Sequence, residues 1–243
     1  GYLRSYKDKG MGVLIGRKGD QCLILTAGHV AKGTVYPNQS GPIRFSTPDF
    51  GEALGTVMLH PQYVAQQRVA DAELARGRNA PLVHPDVALI SFRSPKCFEA
   101  SHVREMKLAQ SDPKPGEGIY WSSANFAGLF NGVAGSYHPN GPLTIDSNDG
   151  RLTAINAGIA SGDSGGPLYN SAYEVAGVMS AINAGPSMLR QMKNARTAAE
   201  ADARFSPQAF VASNSAMAWV KQVKQQLGFD AISYTSMRSA ITR

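Results

Sequence analysis

The chain has little cysteine: Cys22 and Cys97 are the only two in 243 residues. Two reduced, buried thiols are the default expectation, and a Cys22–Cys97 bridge is the lesser one. No uninterrupted apolar run approaches the roughly 18 residues that a bilayer-spanning helix needs, so no membrane partner is expected. No leader-like stretch is visible, and a start at Gly1 fits a mature or trimmed form. The compartment is left unassigned. Acidic residues are outnumbered, 18 against 24 basic ones, for a formal charge of +6. The basic residues are scattered, without runs or interleaved aromatics. They read as solubility and mild anion affinity, and no nucleic-acid partner is expected. Histidine is sparse too: His29, His60, His84, His102 and His138, with none in the last hundred residues. They lack ligand-like clustering with cysteines or acids, so no metal or organic cofactor is implied.

What the sequence does contain centres on Ile159-Ala160-Ser161-Gly162-Asp163-Ser164-Gly165-Gly166-Pro167-Leu168. Glycine allows positive φ and close backbone approach, which a loop needs if its amides must point at a bound atom. The amides of Gly162 and Ser164 could converge as an oxyanion hole beside the Ser164 hydroxyl. The alternative is a tight turn in which Ser164 bonds its own backbone. A serine hydroxyl is a weak nucleophile, so the first reading requires a base and an orienting acid elsewhere. Gly162-Asp163-Ser164-Gly165-Gly166 also fits the G-x-S-x-G elbow, whose histidine must follow the serine. All five histidines precede Ser164. The elbow reading fails, and the surviving order is His, Asp, Ser.

Cys22-Leu23-Ile24-Leu25 reads as a buried strand with His29 at its exit, and Val87-Ala88-Leu89-Ile90 as another with Asp86 at its entrance. A carboxylate beside a buried strand needs a partner, and the His29 ring N–H would serve. The bland alternatives are a satisfied core histidine and a turn aspartate after Pro85.

Thr26-Ala27-Gly28-His29, Asp86-Val87-Ala88-Leu89 and Gly162-Asp163-Ser164-Gly165-Gly166-Pro167 resemble the three signature blocks of the trypsin-like (chymotrypsin-fold) serine proteases. The resemblance runs from about Gly10 to about Lys224. Its layout is nearer the bacterial-type HtrA and V8-like branches than digestive trypsin. It implies an all-β fold: two six-stranded antiparallel β-barrels with a C-terminal helix and helical insertions. As one peptidase domain this places the N-terminal barrel at about 10–105 and the C-terminal barrel at about 106–212. The helix then falls at 213–228 and a tail at 229–243. It further implies a serine endopeptidase with His29, Asp86 and Ser164 as the triad, Gly162 and Ser164 as the oxyanion hole, and a protein or peptide substrate. Gly158 falls where the family sets charge at the pocket floor; with no acid there, Ile159 and Ile182 suggest small or medium apolar P1 residues. Ser180, Ala181 and Ile182 fall on the strand that lines the substrate backbone. Asp163 keeps the trypsin-type acid without a freed Ile-Val-Gly-Gly start, so it requires another cation or donor. A silent peptide-binding pseudoprotease and an enzyme switched on by a regulatory protein partner are the alternatives.

In chain order, Gly1 to Lys9 is expected to be a mobile lead-in, Gly10–Gly16 a strand, and Arg17–Asp20 a hairpin turn. Strands are also expected at Ile43–Phe45, Glu52–Leu59, Gly118–Ser122, Asn131–Ser136, Leu152–Asn156, Leu168–Tyr169 and Val175–Ser180. Val64–Arg78 has helix propensity, with Gly77 as a stop, and reads as a solvated surface helix or a lid over the cleft. Ser187–Arg204 is a second helical insertion, packed on the barrel or gating the cleft. Ala216, Val220, Val223 and Leu227 form the stripe of a final helix ended by Gly228.

Overall fold

A computed structural model describes residues 2–5, 9–33, 35–79, 83–98, 104–111, 119–121, 135–137, 144–146, 151–154, 163–183, 208–212 and 214–229. The apolar run at Met11–Ile15 sits in β2 (Lys9–Lys18), which turns at Gly19 (φ +58°) into β3 (Gln21–Thr26). Positive φ at that turn is why a glycine stands there. β4 (Ser40–Thr47) and β5 (Gly51–Leu59) form a second hairpin, and β6 (Ala88–Arg93) lies between β3 and β5.

Within the expected mobile lead-in, residues 2–5 are instead part of the barrel. Tyr2–Ser5 is strand β1, antiparallel to both β2 and β4, and it closes the order β1-β2-β3-β6-β5-β4 into a barrel. Leu3, 1 % exposed, enters the core. Four residues are too few to show period-2 patterning, but closure satisfies backbone groups that an open edge would leave unpaired.

The described strands of the second half form one further sheet. They are β7 (Ile119–Trp121), β8 (Gly135–Tyr137), β9 (Thr144–Asp146), β10 (Arg151–Ala154), β11 (Pro167–Tyr169), β12 (Val175–Asn183) and β13 (Gln208–Ala212). Its order is β8-β7-β11-β12-β13-β10-β9. All pairings between these named strands are antiparallel. The described elements are thus mostly antiparallel β with few helices: one closed six-stranded barrel and a seven-stranded sheet. One cluster of buried side chains runs from the barrel, through Leu108, Val175 and Val178, to Ala216, Met217 and Val220.

Three helices are described. α1 (Gly28–Ala31) is a single turn after β3. α2 (Pro61–Ala75) starts ahead of the expected Val64, because Pro61 occupies the first turn and His60 Nδ1 accepts the Gln62 N–H as a cap. It ends as expected, with Gly77 at φ +71° just beyond. α3 (Asn214–Gln226) buries Ala216, Met217 and Val220, and Leu227, just beyond its end, is 37 % exposed. Trp219 meets the His60 ring edge-to-face with centroids 5.0 Å apart, and Lys224 lies 3.4 Å from Glu105. Phe229, the first residue of the expected tail, is buried against Gly16. No described helix is long and apolar enough to cross a membrane. The Ser187–Arg204 insertion lies outside the described residues.

The two cysteines are not free thiols. Cys22 and Cys97 form a disulfide, with Cα atoms 5.7 Å apart. The default expectation failed because pairing is set by register: Cys22 lies opposite Phe92, and the short 3₁₀ turn Pro95–Cys97 after β6 brings Cys97 back onto β3.

Candidate active site

β3 and β6 lie side by side, with Thr26 opposite Ala88, so the exit of one is the entrance of the other. That register brings His29, at the start of α1, to Asp86, just ahead of β6. His29 Nδ1 is 2.6 Å from Asp86 Oδ2, and the His29 backbone N–H donates to Asp86 Oδ1 at 2.8 Å. Asp86 is buried, whereas the His29 side chain is 37 % exposed. The acid therefore sits inside, and the ring reaches towards solvent.

Asp86 has a third donor. The Ser180 hydroxyl on β12 donates to Asp86 Oδ2 at 2.8 Å, across 94 residues of sequence. Burial alone would raise the Asp86 pKa. The neighbouring His29 charge, then the His29 ring, Ser180 and His29 backbone hydrogen bonds, outweigh it and hold the carboxyl below its ordinary value. An ionised Asp86 can only accept, so the His29 proton belongs on Nδ1, and Nε2 is left as an acceptor. Gly28 makes the approach possible: a Cβ there would lie 2.9 Å from Asp86 Oδ1 and 3.0 Å from the Tyr63 ring.

The serine loop is anchored to the same strands. The Met11 N–H donates to the Ser164 carbonyl at 2.7 Å, and the Thr26 hydroxyl to the Met11 carbonyl at 2.6 Å. Gly165 has φ +83°, and a Cβ on it would clash with Met11 O and Thr26 Oγ1. The loop can thus lie against the end of β3 only with glycine there. The Gly165 and Gly166 amides are committed, to Met179 O at 2.8 Å and Asp163 O at 2.9 Å. Asp163 is fully buried.

The structure therefore joins His29 and Asp86 directly and ties the Ser164 backbone to Met11 on β2, the neighbour of the strand leading to His29. Ser180, expected as a wall of the substrate cleft, also has its hydroxyl on Asp86. Ala181 and Ile182 lie on β12, while Gly162, Gly158 and Ile159 lie outside the described residues. The sequence reading missed the Ser180–Asp86 bond, since a serine inside an apolar strand carries no local mark of its partner. It also missed Tyr63 and Gln66. Tyr63 is buried on Gly28, and Gln66 Oε1 accepts the His84 N–H at 2.8 Å. α2 is accordingly a mostly exposed helix that buries Tyr63, Val64 and Ala70. It contacts the flanks of the His29–Asp86 pair, at Gly28 and at the His84 backbone. Among the described residues, no three His, Cys, Asp or Glu side chains gather as a metal site.

The trypsin-like peptidase domain pattern matches residues 10–178 of the chain. No curated protein matches it. Similar solved structures include a Glu endopeptidase in complex with MPD, at 16% identity and TM-score 0.49, covering 92% of this chain and 89% of that one. Kallikrein-related peptidase 10 is 15% identical with TM-score 0.49, covering 93% of this chain and 95% of that one. A serine endoprotease from Yersinia pestis is 17% identical with TM-score 0.47, covering 94% of this chain and 62% of that one.

Proposed function

Because the chain belongs to the trypsin-like peptidase domain family, a family of serine endopeptidases, we propose that it cleaves peptide bonds with Ser164 as nucleophile, His29 as general base and acid, and Asp86 as the group that orients His29. The observation that carries this reading is the 2.6 Å contact between His29 Nδ1 and a buried, ionised Asp86. With its proton held on Nδ1, His29 offers Nε2 to take the Ser164 proton as Oγ attacks the substrate carbonyl. The imidazolium so formed is stabilised by the Asp86 carboxylate and then protonates the leaving amine. Water, deprotonated by the same Nε2, releases the acyl group. The Ser164 amide, with that of Gly162, supplies the oxyanion donors; the committed amides of Gly165 and Gly166 support this choice. The second sheet is read as the counterpart of a second barrel, with the cleft between it and the first. Gly158, Ile159, Ala181 and Ile182 are read as the pocket, taking small or medium apolar P1 side chains.

The test is labelling of the purified chain with a fluorophosphonate serine probe, beside Ser164→Ala and His29→Ala variants. Labelling of the parent that disappears in both variants is the expected result. A folded parent that resists labelling under all conditions would overturn the assignment and favour a silent peptide-binding protein. Labelling that appears only after a protein partner is added would mark a regulated protease.

A further inference from the structure

We propose that α2 is a brace that sets the spacing of His29 and Asp86, with Gln66 and Asp71 as its positioning residues. The proposal rests on the triad reading above. In sequence, α2 lies between the base and the acid. In space, it holds the chain on both sides of them. On the acid side, the Gln66 Oε1 bond to the His84 N–H lands on the backbone two residues ahead of Asp86, at 2.8 Å.

On the base side, Asp71 Oδ2 accepts the Tyr36 O–H at 2.6 Å, and Gln67 Nε2 donates to Asp71 Oδ1 at 2.8 Å. Arg68 adds a bond to the Pro37 carbonyl at 3.0 Å. Tyr36 is in turn continuous with the turn that carries His29: its N–H bonds Lys32 O at 3.3 Å, and the Lys32 N–H bonds Gly28 O at 2.8 Å. Burial, then the Asp71 hydrogen bond and charge, push Tyr36 up to about 12, so its O–H stays a donor at working pH.

Between these two grips, Tyr63 fills the space beside Gly28. Gln66 and Asp71 are half-buried polar side chains, and they contact the flanks of the pair instead of filling the apolar core. Reaction geometry is sensitive to shifts of an ångström or less. A hydrogen bond to the segment leading into Asp86 therefore has leverage on the rate out of proportion to its part in folding.

The experiment compares the parent with Gln66→Leu, Gln66→Glu and Tyr36→Phe. Gln66→Leu removes the acceptor, Gln66→Glu keeps an oxygen there, and Tyr36→Phe deletes one oxygen at the other grip. Two readouts are taken on samples of matched folded fraction. One is the saturating rate of Ser164 labelling by the fluorophosphonate. The other is the downfield proton NMR resonance of the His29 Nδ1–H. Gln66→Leu and Tyr36→Phe are each expected to slow labelling roughly 10-fold, without changing the half-saturating probe concentration, and to move the resonance. Gln66→Glu is expected to restore both. An unmoved resonance in Gln66→Leu and Tyr36→Phe overturns the brace, whatever the labelling does. A resonance that moves in these variants of a chain that resists labelling keeps the brace and removes the catalytic reading.

Discussion

Replacing Asp86 by Asn tests the acid–base pair directly. Asp86 receives the His29 N–H on Oδ1, and both the His29 Nδ1–H and the Ser180 O–H on Oδ2. Asparagine has one acceptor oxygen. With that oxygen kept on the His29 backbone, the new NH₂ faces Nδ1, and the ring relieves the donor–donor clash only by moving its proton to Nε2. Nε2 then has no lone pair for the Ser164 proton. The charge is lost as well: two unit charges about 4 Å apart at an effective dielectric near 20 attract by about 4 kcal/mol. In the proposed mechanism that energy stabilises the imidazolium in the transition state, and its loss corresponds to roughly a thousandfold in rate. The wrong tautomer adds to this, so a fall of about 10³- to 10⁴-fold is expected. The assay is kcat on an activated peptide ester, with circular dichroism to confirm folding. An Asn variant within tenfold of the parent would refute the assigned role.

Stability carries a matching signature. Asp86 is held below its ordinary value when folded, so between the folded and unfolded pKa values the unfolded chain binds more protons. The stabilisation is present above the unfolded value of about 4 and is lost as pH falls through the folded one. The urea-unfolding gap between parent and Asp86→Asn should therefore narrow below about pH 4.

Gly165→Ala should cost about 3 kcal/mol or more, from the left-handed backbone penalty plus the loss of the Thr26–Met11 bond; urea unfolding checks it, and near-parental stability would show that the loop relaxes freely. Reducing Cys22–Cys97, a bridge 75 residues apart in sequence, should cost up to about 4 kcal/mol on loop entropy; the midpoint with and without dithiothreitol, beside Cys97→Ser, reads it. His60 is lowered by burial to about 4, below its unfolded value of about 6.5, so the stability linked to it is full above that value and is lost as pH falls towards 4. A His60→Phe variant keeps a ring against Trp219 and should show a flatter Tm between pH 6.5 and 4 than the parent; an unchanged slope would place the titration elsewhere.

Much of this site was legible in the chain before any tertiary structure. Thr26–His29 and Asp86–Leu89 each end or begin an apolar run, and residues at the ends of buried strands reach a cleft. The glycines at 165 and 166 announced a loop whose backbone must come close to something. Local signals of this kind survive because backbone conformation and strand burial depend on near neighbours in sequence. Gly19, Gly77 and Gly228 were read correctly as punctuation for the same reason: positive φ is a property of a single residue.

Other features depend on which strand lies beside which, and no local pattern encodes that. The Ser180–Asp86 bond spans 94 residues. The disulfide follows from the register of β3 on β6, and β1 is a strand because β2 and β4 are both there to pair with it. α2 has the composition of a solvated helix, and only its position makes Gln66 and Asp71 reach the flanks of His29 and Asp86. The sequence by itself determined the chemistry available, namely a serine in a glycine loop, a histidine and an acid at strand ends. Tertiary structure decided which of those groups share a proton and what holds them there, because hydrogen bonding acts only over about 3 Å and chain separation says nothing about that distance.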